Sequence, residues 1–197
     1  MFISLEGIDG SGKTTQARLL VEALGEGTVA IREPGGTEAA ERIRALLADP
    51  ELELDPLAEL MLFLAARADL TERVIRPALE ADRHVVADRF SDSSVAYQGA
   101  ARGLGVGEVI GLCDTATDGL WPDLTLLLRL DPETGLDRAE SDDRFEREGV
   151  GLQEAVAEAY GEIAQIASDR VTVIDAGGSV EEVHARVMEA VRERSRD

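Results

Sequence analysis

The residues best equipped to do chemistry stand near the start of the chain, in the run Gly7-Ile8-Asp9-Gly10-Ser11-Gly12-Lys13-Thr14. The run fits the spacing G-x-x-x-x-G-K-[ST] in full. Glycines let the backbone curl until several N–H groups point inward at one anion, and a helix starting at the lysine adds the positive end of its dipole. Such a turn cradles the phosphates of a nucleotide. Lys13 can bridge the β- and γ-phosphates, and the Thr14 hydroxyl is a ligand for Mg²⁺. A second pair lies at the end of HVVAD, residues 84–88, where Asp88 is followed by Arg89. An aspartate at the tip of a neighbouring apolar strand is where Mg²⁺ is held beside a phosphate-binding turn, usually through water. Arg89 would face the same phosphates with a planar fork suited to bidentate contact.

These groups need a scaffold that brings strand tips together. Short apolar runs at 2–6, 28–32, 84–88, 124–130 and 171–175 read as five strands. Helical patterns separate them at 13–24, about 37–48, 56–81 with a kink or break at Pro77, near 92–100, 107–118, 151–168 and 179–194. Continuous apolar strands alternating with helices indicate a parallel sheet covered on both faces, a doubly wound α/β fold. Ligands of such folds sit beyond the carboxyl ends of the strands, where both motifs fall. The stretch 132–149 is charged and precedes the helix at 151–168.

Composition narrows the function classes. Forty acids against twenty bases give a net charge of −20, and the only lysine is Lys13. A field of that sign repels nucleic acid polymers and anionic membranes. Two readings compete: a GC-rich coding bias that swaps lysine for arginine with ordinary acidity, and adaptation to molar salt, where a dense carboxylate surface has its self-repulsion screened; the excess of acids, which arginine bias alone does not explain, favours the second. No apolar run approaches the roughly 18 to 20 residues of a membrane span. The first residues, MFISLEG, read as a strand entering a turn rather than a secretory leader. Cys113 is the one cysteine, read as a small core residue, so a reducing, cytoplasmic setting is expected. His84 and His184 read as structural, with no metal-ligand company.

The acceptor of the phosphate is less directly readable. A guanine-reading N-K-x-D is excluded, because the chain has no asparagine. A small domain with arginines near its strand tips suggests a kinase of small metabolites. An acceptor that is itself a phosphate needs no general base, since its oxygen is already ionised near pH 7. A kinase of another acceptor and a nucleotide-binding regulatory protein stay open on the residues alone.

Four further stretches carry a resemblance: REPGGT at 32–37, LFLAAR at 62–67, DRFSDSSVAYQG at 88–99 and DRFE at 143–146. With EGIDGSGKTTQ they resemble the thymidylate (dTMP) kinase family, in the family's order and over most of the chain. The resemblance implies a three-layer P-loop NTPase fold, with 1–197 as one kinase domain bearing a mobile lid at about 135–149. It implies transfer from ATP to dTMP with Mg²⁺, in a homodimer formed through the helices around 56–81 and 92–118. The donor cradle would run from Gly7 to Thr15. Phe63 would stack on the thymine and Arg67 would donate to a base carbonyl. Arg89 would clamp the dTMP phosphate, with Ser94 near the base edge and Gln98 in the same site. Tyr97 would pack on the sugar. Asp9 would approach the 3′-OH or the metal, and Glu33 and Pro34 would line the acceptor phosphate and sugar. Gly10 indicates the layout in which a lid supplies the transition-state arginine, with Arg138 and Arg144 favoured over Arg147. Two departures stand out: the lid is crowded with acids, and Phe90 replaces a tyrosine common in relatives. The turn DAGGS at 175–179 would lie by the adenine.

Overall fold

A computed structural model describes residues 1–138 and 149–196. Five parallel strands form one sheet: β1 (Phe2–Glu6), β2 (Val29–Arg32), β3 (Val85–Asp88), β4 (Leu124–Arg129) and β5 (Val171–Asp175), in the order β2-β3-β1-β4-β5. The central strand pairs with β3 through Leu5↔Asp88 and with β4 through Leu5↔Leu126. The chain runs from β1 to one side of the sheet and later crosses to the other. The two directions part at the tip of β1, where an open parallel sheet leaves a ligand crevice.

Helices cover both faces, as apolar strands buried on two sides require. Alternation along β1 sends Ile3 and Leu5 into one core with Leu20 of α1 (Lys13–Leu24) and Val183 and Val187 of α9 (Val180–Arg194). Phe2, Ser4 and Glu6 face the other way. That side is covered by α3 (Pro56–Leu70), α6 (Val106–Thr117) and α8 (Val150–Ile166), whose Leu64, Val109 and Val156 share a core. Between these elements lie α2 (Glu38–Ala48) and the short α5 (Ser91–Ser94).

The expected elements are all present, with ends moved by one or two residues. The long helix over 56–81 is interrupted. A π-helical segment, Thr71–Ile75, separates α3 from α4 (Arg76–Glu80). Pro77 lacks the N–H that would bond back to residue 73, so the helix loosens in the turn before it. A second π segment, Val95–Ala101, continues α5. In the charged stretch, to which the sequence reading assigns no element, residues Pro132–Arg138 form α7. Asp131 accepts from the Thr134 N–H at 3.0 Å and Pro132 opens the helix, a cap-plus-proline start that charge alone does not reveal.

Candidate active site

The glycine-rich turn follows β1 and enters α1 at Lys13. The Lys13 ammonium donates to the Ile8 carbonyl at 2.7 Å and lies 3.4 Å from the Ser11 hydroxyl. Burial, with the charge of Arg89 behind it, pushes Lys13 down to about 8. The Thr14 hydroxyl donates to Asp88 Oδ2 at 2.5 Å, so two hard oxygen donors from separate elements meet beside the turn. No group of three or more His, Cys, Asp or Glu side chains is placed to hold a metal among the described residues. A pair of oxygens matches Mg²⁺, which keeps most of its shell for water and phosphate. Gly10 sits at φ 71° against α7. A Cβ built on it would lie 1.9 Å from the Gly135 carbonyl oxygen. Only a glycine lets α7 come this close, and a P-loop arginine has no room there.

Arg89 occupies the left-handed region at φ 72°, rare for a residue with a side chain and found where surroundings over-determine the backbone. Those surroundings are visible. Its Nη1 donates to the Gly7 carbonyl and the Ser93 hydroxyl, both at 3.1 Å, and its Nη2 meets the Asp9 carboxylate and the Tyr97 hydroxyl. Behind it, Glu6 accepts from the Phe90 N–H at 2.7 Å, the Ser93 hydroxyl at 2.6 Å and the Tyr160 hydroxyl at 2.7 Å. Burial and then Asp92 push Glu6 up to about 7. For Asp9 burial works upward, yet Arg89 and Lys13 beside it hold the carboxyl below its usual range. Gln153 of α8 closes the arrangement, accepting from the Asp9 N–H at 3.1 Å and donating to its carboxylate at 2.8 Å.

Across the cavity, Phe63 and Arg67 rise from one face of α3, with Phe63 half-buried and Arg67 1 % exposed. Arg67 pairs with Glu33 Oε2 at 2.7 Å and donates to the Phe90 carbonyl at 3.2 Å. Its Nη1 lies 3.5 Å from the sulfur of buried Cys113. Glu33, expected along the sugar and phosphate, is thus tied to the arginine expected to read the base. Its other oxygen, Oε1, and the Ser94 hydroxyl are buried without a hydrogen-bond partner among the described residues. Gln98 donates to Glu59 at 2.8 Å, and Pro34 accepts from Arg44 at 3.0 Å.

The glycine-rich turn, Asp88, Arg89, Tyr97, Glu33, Phe63 and Arg67 line one cavity of about 930 Å³, ample for two nucleotides or their reacting halves; Glu6 and Gln153 are not on its wall. Of the donor-cradle residues, Asp9 to Thr15 reach the cavity wall, while Gly7 and Ile8 contribute carbonyls behind it. Arg138, exposed at the end of α7, is on the cavity wall; Arg144 and Arg147 lie outside the described residues. The DAGGS turn reaches the cavity wall through Ala176, Gly178 and Ser179. Sequence reading did not anticipate Gln153, Glu6 or Arg44 in the site. Glu6 adjoins the motif and had a positional signal. Gln153, 144 residues from Asp9, had none.

Residues 5–187 match the thymidylate kinase family profile. The chain is 46 % identical over 199 residues to the thymidylate kinase of Synechococcus sp. (strain JA-3-3Ab), covering 98 % of this chain and 96 % of that protein. It is 43 % identical over 201 residues to the thymidylate kinase of Halothermothrix orenii, covering 98 % and 96 %. Its fold superposes on the crystal structure of thymidylate kinase from Ehrlichia chaffeensis with a TM-score of 0.80 at 34 % identity, over 97 % and 98 % of the two chains. With the glycine-rich turn, the Asp88–Arg89 tip and the α3 pair meeting in one cavity, these matches establish that the chain belongs to the thymidylate kinase family.

Proposed function

We propose that the protein transfers the terminal phosphoryl group of ATP to dTMP, giving dTDP and ADP. The observation that supports this reading is that the glycine-rich turn and Arg89 open into the same cavity as Phe63 and Arg67. The backbone amides from Asp9 to Thr15 and the Lys13 ammonium hold the donor phosphates. Thr14 and Asp88 would hold Mg²⁺, which would supply charge neutralisation on the donor phosphates. Arg89, kept by Asp9 and Ser93, presents its guanidinium to the acceptor phosphate. Phe63 stacks on the base and Arg67 donates to a base carbonyl. The Ser94 hydroxyl, without a hydrogen-bond partner among the described residues, supports a role at the base edge, and Tyr97 packs beside the sugar. Because the acceptor is already an ionised phosphate, no residue has to remove a proton. Alignment and charge neutralisation supply the acceleration.

The whole chain works as one domain in this reading, and residues 135–149 act as its lid, with Arg138 and Arg144 stabilising the phosphoryl group in transit. Exposed Leu57 and Met61 on α3 and Ile110 on α6 support a homodimer through these helices. The net charge of −20 supports adaptation to high salt, and the single buried cysteine suits a cytoplasmic setting. The test is ADP production from ATP and Mg²⁺ with dTMP, dUMP, dCMP, AMP and thymidine in parallel, at low salt and in molar KCl. Selective turnover of dTMP is expected, rising with KCl. Preference for AMP, or ATP binding with no acceptor-dependent turnover, refutes the reading. Sedimentation reports the dimer.

A further inference from the structure

One buried polar side chain near the acceptor clamp does not belong to any motif. Gln153 is 1 % exposed and lies on a face of α8 whose other buried residues, Val156, Ala159, Tyr160 and Ile163, pack into the core. An apolar side chain would fill that position without the desolvation penalty of an amide. The glutamine is accounted for by Asp9. Its Oε1 accepts from the Asp9 N–H at 3.1 Å and its Nε2 donates to Asp9 Oδ2 at 2.8 Å, so one amide grips backbone and carboxylate together. Reversing the amide would set donor against donor and oxygen against carboxylate, so the two partners fix its orientation. The Tyr97 hydroxyl lies 3.5 Å from the same Oε1 and 3.3 Å from Asp9 Oδ2. Asp9 Oδ1 is left for Arg89 Nη2.

Seven residues on, two turns along the same helix face, Tyr160 donates to Glu6 at 2.7 Å. α8 therefore touches the two acids that flank the start of the glycine-rich turn, one on each side of Gly7. Each acid in turn holds Arg89 or its neighbours Phe90 and Ser93.

We infer that Gln153 is a positioning residue for the acceptor clamp: by gripping Asp9 at backbone and carboxylate, it fixes where Arg89 presents its guanidinium to the acceptor phosphate. Gln153 touches neither nucleotide and acts through Asp9. The inference rests on the proposed assignment of Asp9 and Arg89 to the acceptor side.

The experiment measures dTMP and ATP affinity by calorimetry, each nucleotide alone, alongside steady-state turnover and thermal unfolding. Gln153→Met keeps an unbranched side chain of similar length and removes both bonds. Loss of a hydrogen bond to a charged group predicts about tenfold weaker dTMP binding or more. ATP affinity should move by less than about twofold, as for an independent site. In an Asp9→Ala background the effect of Gln153→Met on dTMP should shrink to about twofold or less, because the route through Asp9 is already gone. Gln153→Asn, one methylene short of reaching both partners, should give the same pattern with the buried amide kept, and serves if the methionine variant does not fold. Equal weakening of dTMP and ATP, or an undiminished effect in the Asp9→Ala background, overturns the inference. Wild-type protein that binds dTMP without turning it over refutes the reaction and leaves the affinity comparison in force. Wild-type protein that turns dTMP over while Gln153→Met binds it unchanged refutes the inference alone.

Discussion

The Arg67–Glu33 pair should separate stability from substrate reading in one set of variants. Both side chains are almost fully buried, and Glu33 Oε2 takes two guanidinium bonds, at 2.8 and 2.7 Å. The two partners are not equivalent when left alone. Arg67 cannot shed its proton, and Glu33 already holds it charged against burial. A buried carboxyl can neutralise itself by taking a proton. Burial raises Glu33, and removing Arg67 deletes the influence that opposes the rise. Glu33→Gln keeps shape and strands a cation, so it should cost about 3–5 kcal/mol, or roughly 6–20 °C in Tm for a chain of this size. Arg67→Met should cost less. Its deficit should narrow further as pH falls from 8 to 5, because the folded variant takes up the proton that its unfolded chain does not yet hold. The double variant Glu33→Gln/Arg67→Met should recover most of the stability, since no buried charge remains. It should nevertheless bind dTMP poorly, having lost the base donor, while ATP binding holds. Urea unfolding at pH 5 and 8 with calorimetry of both nucleotides reads all of this. Equal losses from the two single changes, or a double variant as unstable as their sum, would refute the argument from asymmetric neutralisation. A stable double variant with normal dTMP affinity would refute the base-reading role.

Two other perturbations follow from the same geometry. Lys13→Met should abolish phosphoryl transfer, yet the folded protein should be more stable at pH 7 by up to about 3 kcal/mol, because a lysine held down to about 8 from 10.5 opposes folding wherever it is charged. That advantage is full below pH 8 and should fade between pH 8 and 10.5, as the unfolded chain's lysine also loses its proton; a Tm that falls on mutation contradicts it. Gly10→Ala would need α7 to retreat from a 1.9 Å contact and would hold a side chain at φ 71°. It should lower stability by about 1–3 kcal/mol and weaken ATP binding more than dTMP binding, and an alanine variant with unchanged ATP affinity would show that α7 does not press on the cradle in solution.

Local chemistry made much of this molecule readable from its residues. The turn from Gly7 to Thr14 announces itself because its glycines, lysine and threonine each have a stated reason, and the five strands show because a sheet covered on both faces calls for short, mostly apolar runs. What stayed hidden was partnership across the chain. REPGGT and LFLAAR are visible as separate stretches, but nothing in either says that Glu33 will be spent on Arg67, 34 residues away. Gln153 looks like any helix glutamine until α8 is laid beside the turn. The charged run after β4 conceals α7, since its Asp131–Pro132 start is a weaker signal than its crowd of carboxylates. The assignments of Arg144 and Arg147 fall outside the described residues.

Strand parity ties the core to the chemistry. Along β1, Ile3 and Leu5 must enter the α1–α9 core, which sends Phe2, Ser4 and Glu6 to the opposite face. There Phe2 meets the Phe90 ring edge-on at 4.9 Å, Ser4 meets Thr125 at 3.0 Å, and Glu6 meets Phe90, Ser93 and Tyr160. A slip of one residue would bury Glu6 among leucines and valines and carry Leu5 into the polar network. The register that hides the apolar residues is therefore the register that delivers Glu6 to the turn after β3, and that turn is where Arg89 bends into the left-handed region. The two phenylalanines matter for the same reason. Phe90 packs against Phe2 on one side and carries Arg67 5.4 Å over its ring on another, so one aromatic side chain joins the central strand to the arginine proposed to read the base. A tyrosine hydroxyl at Phe90, which is fully buried, would need a partner in that packing. Phenylalanine removes the requirement and leaves the ring's contacts in place.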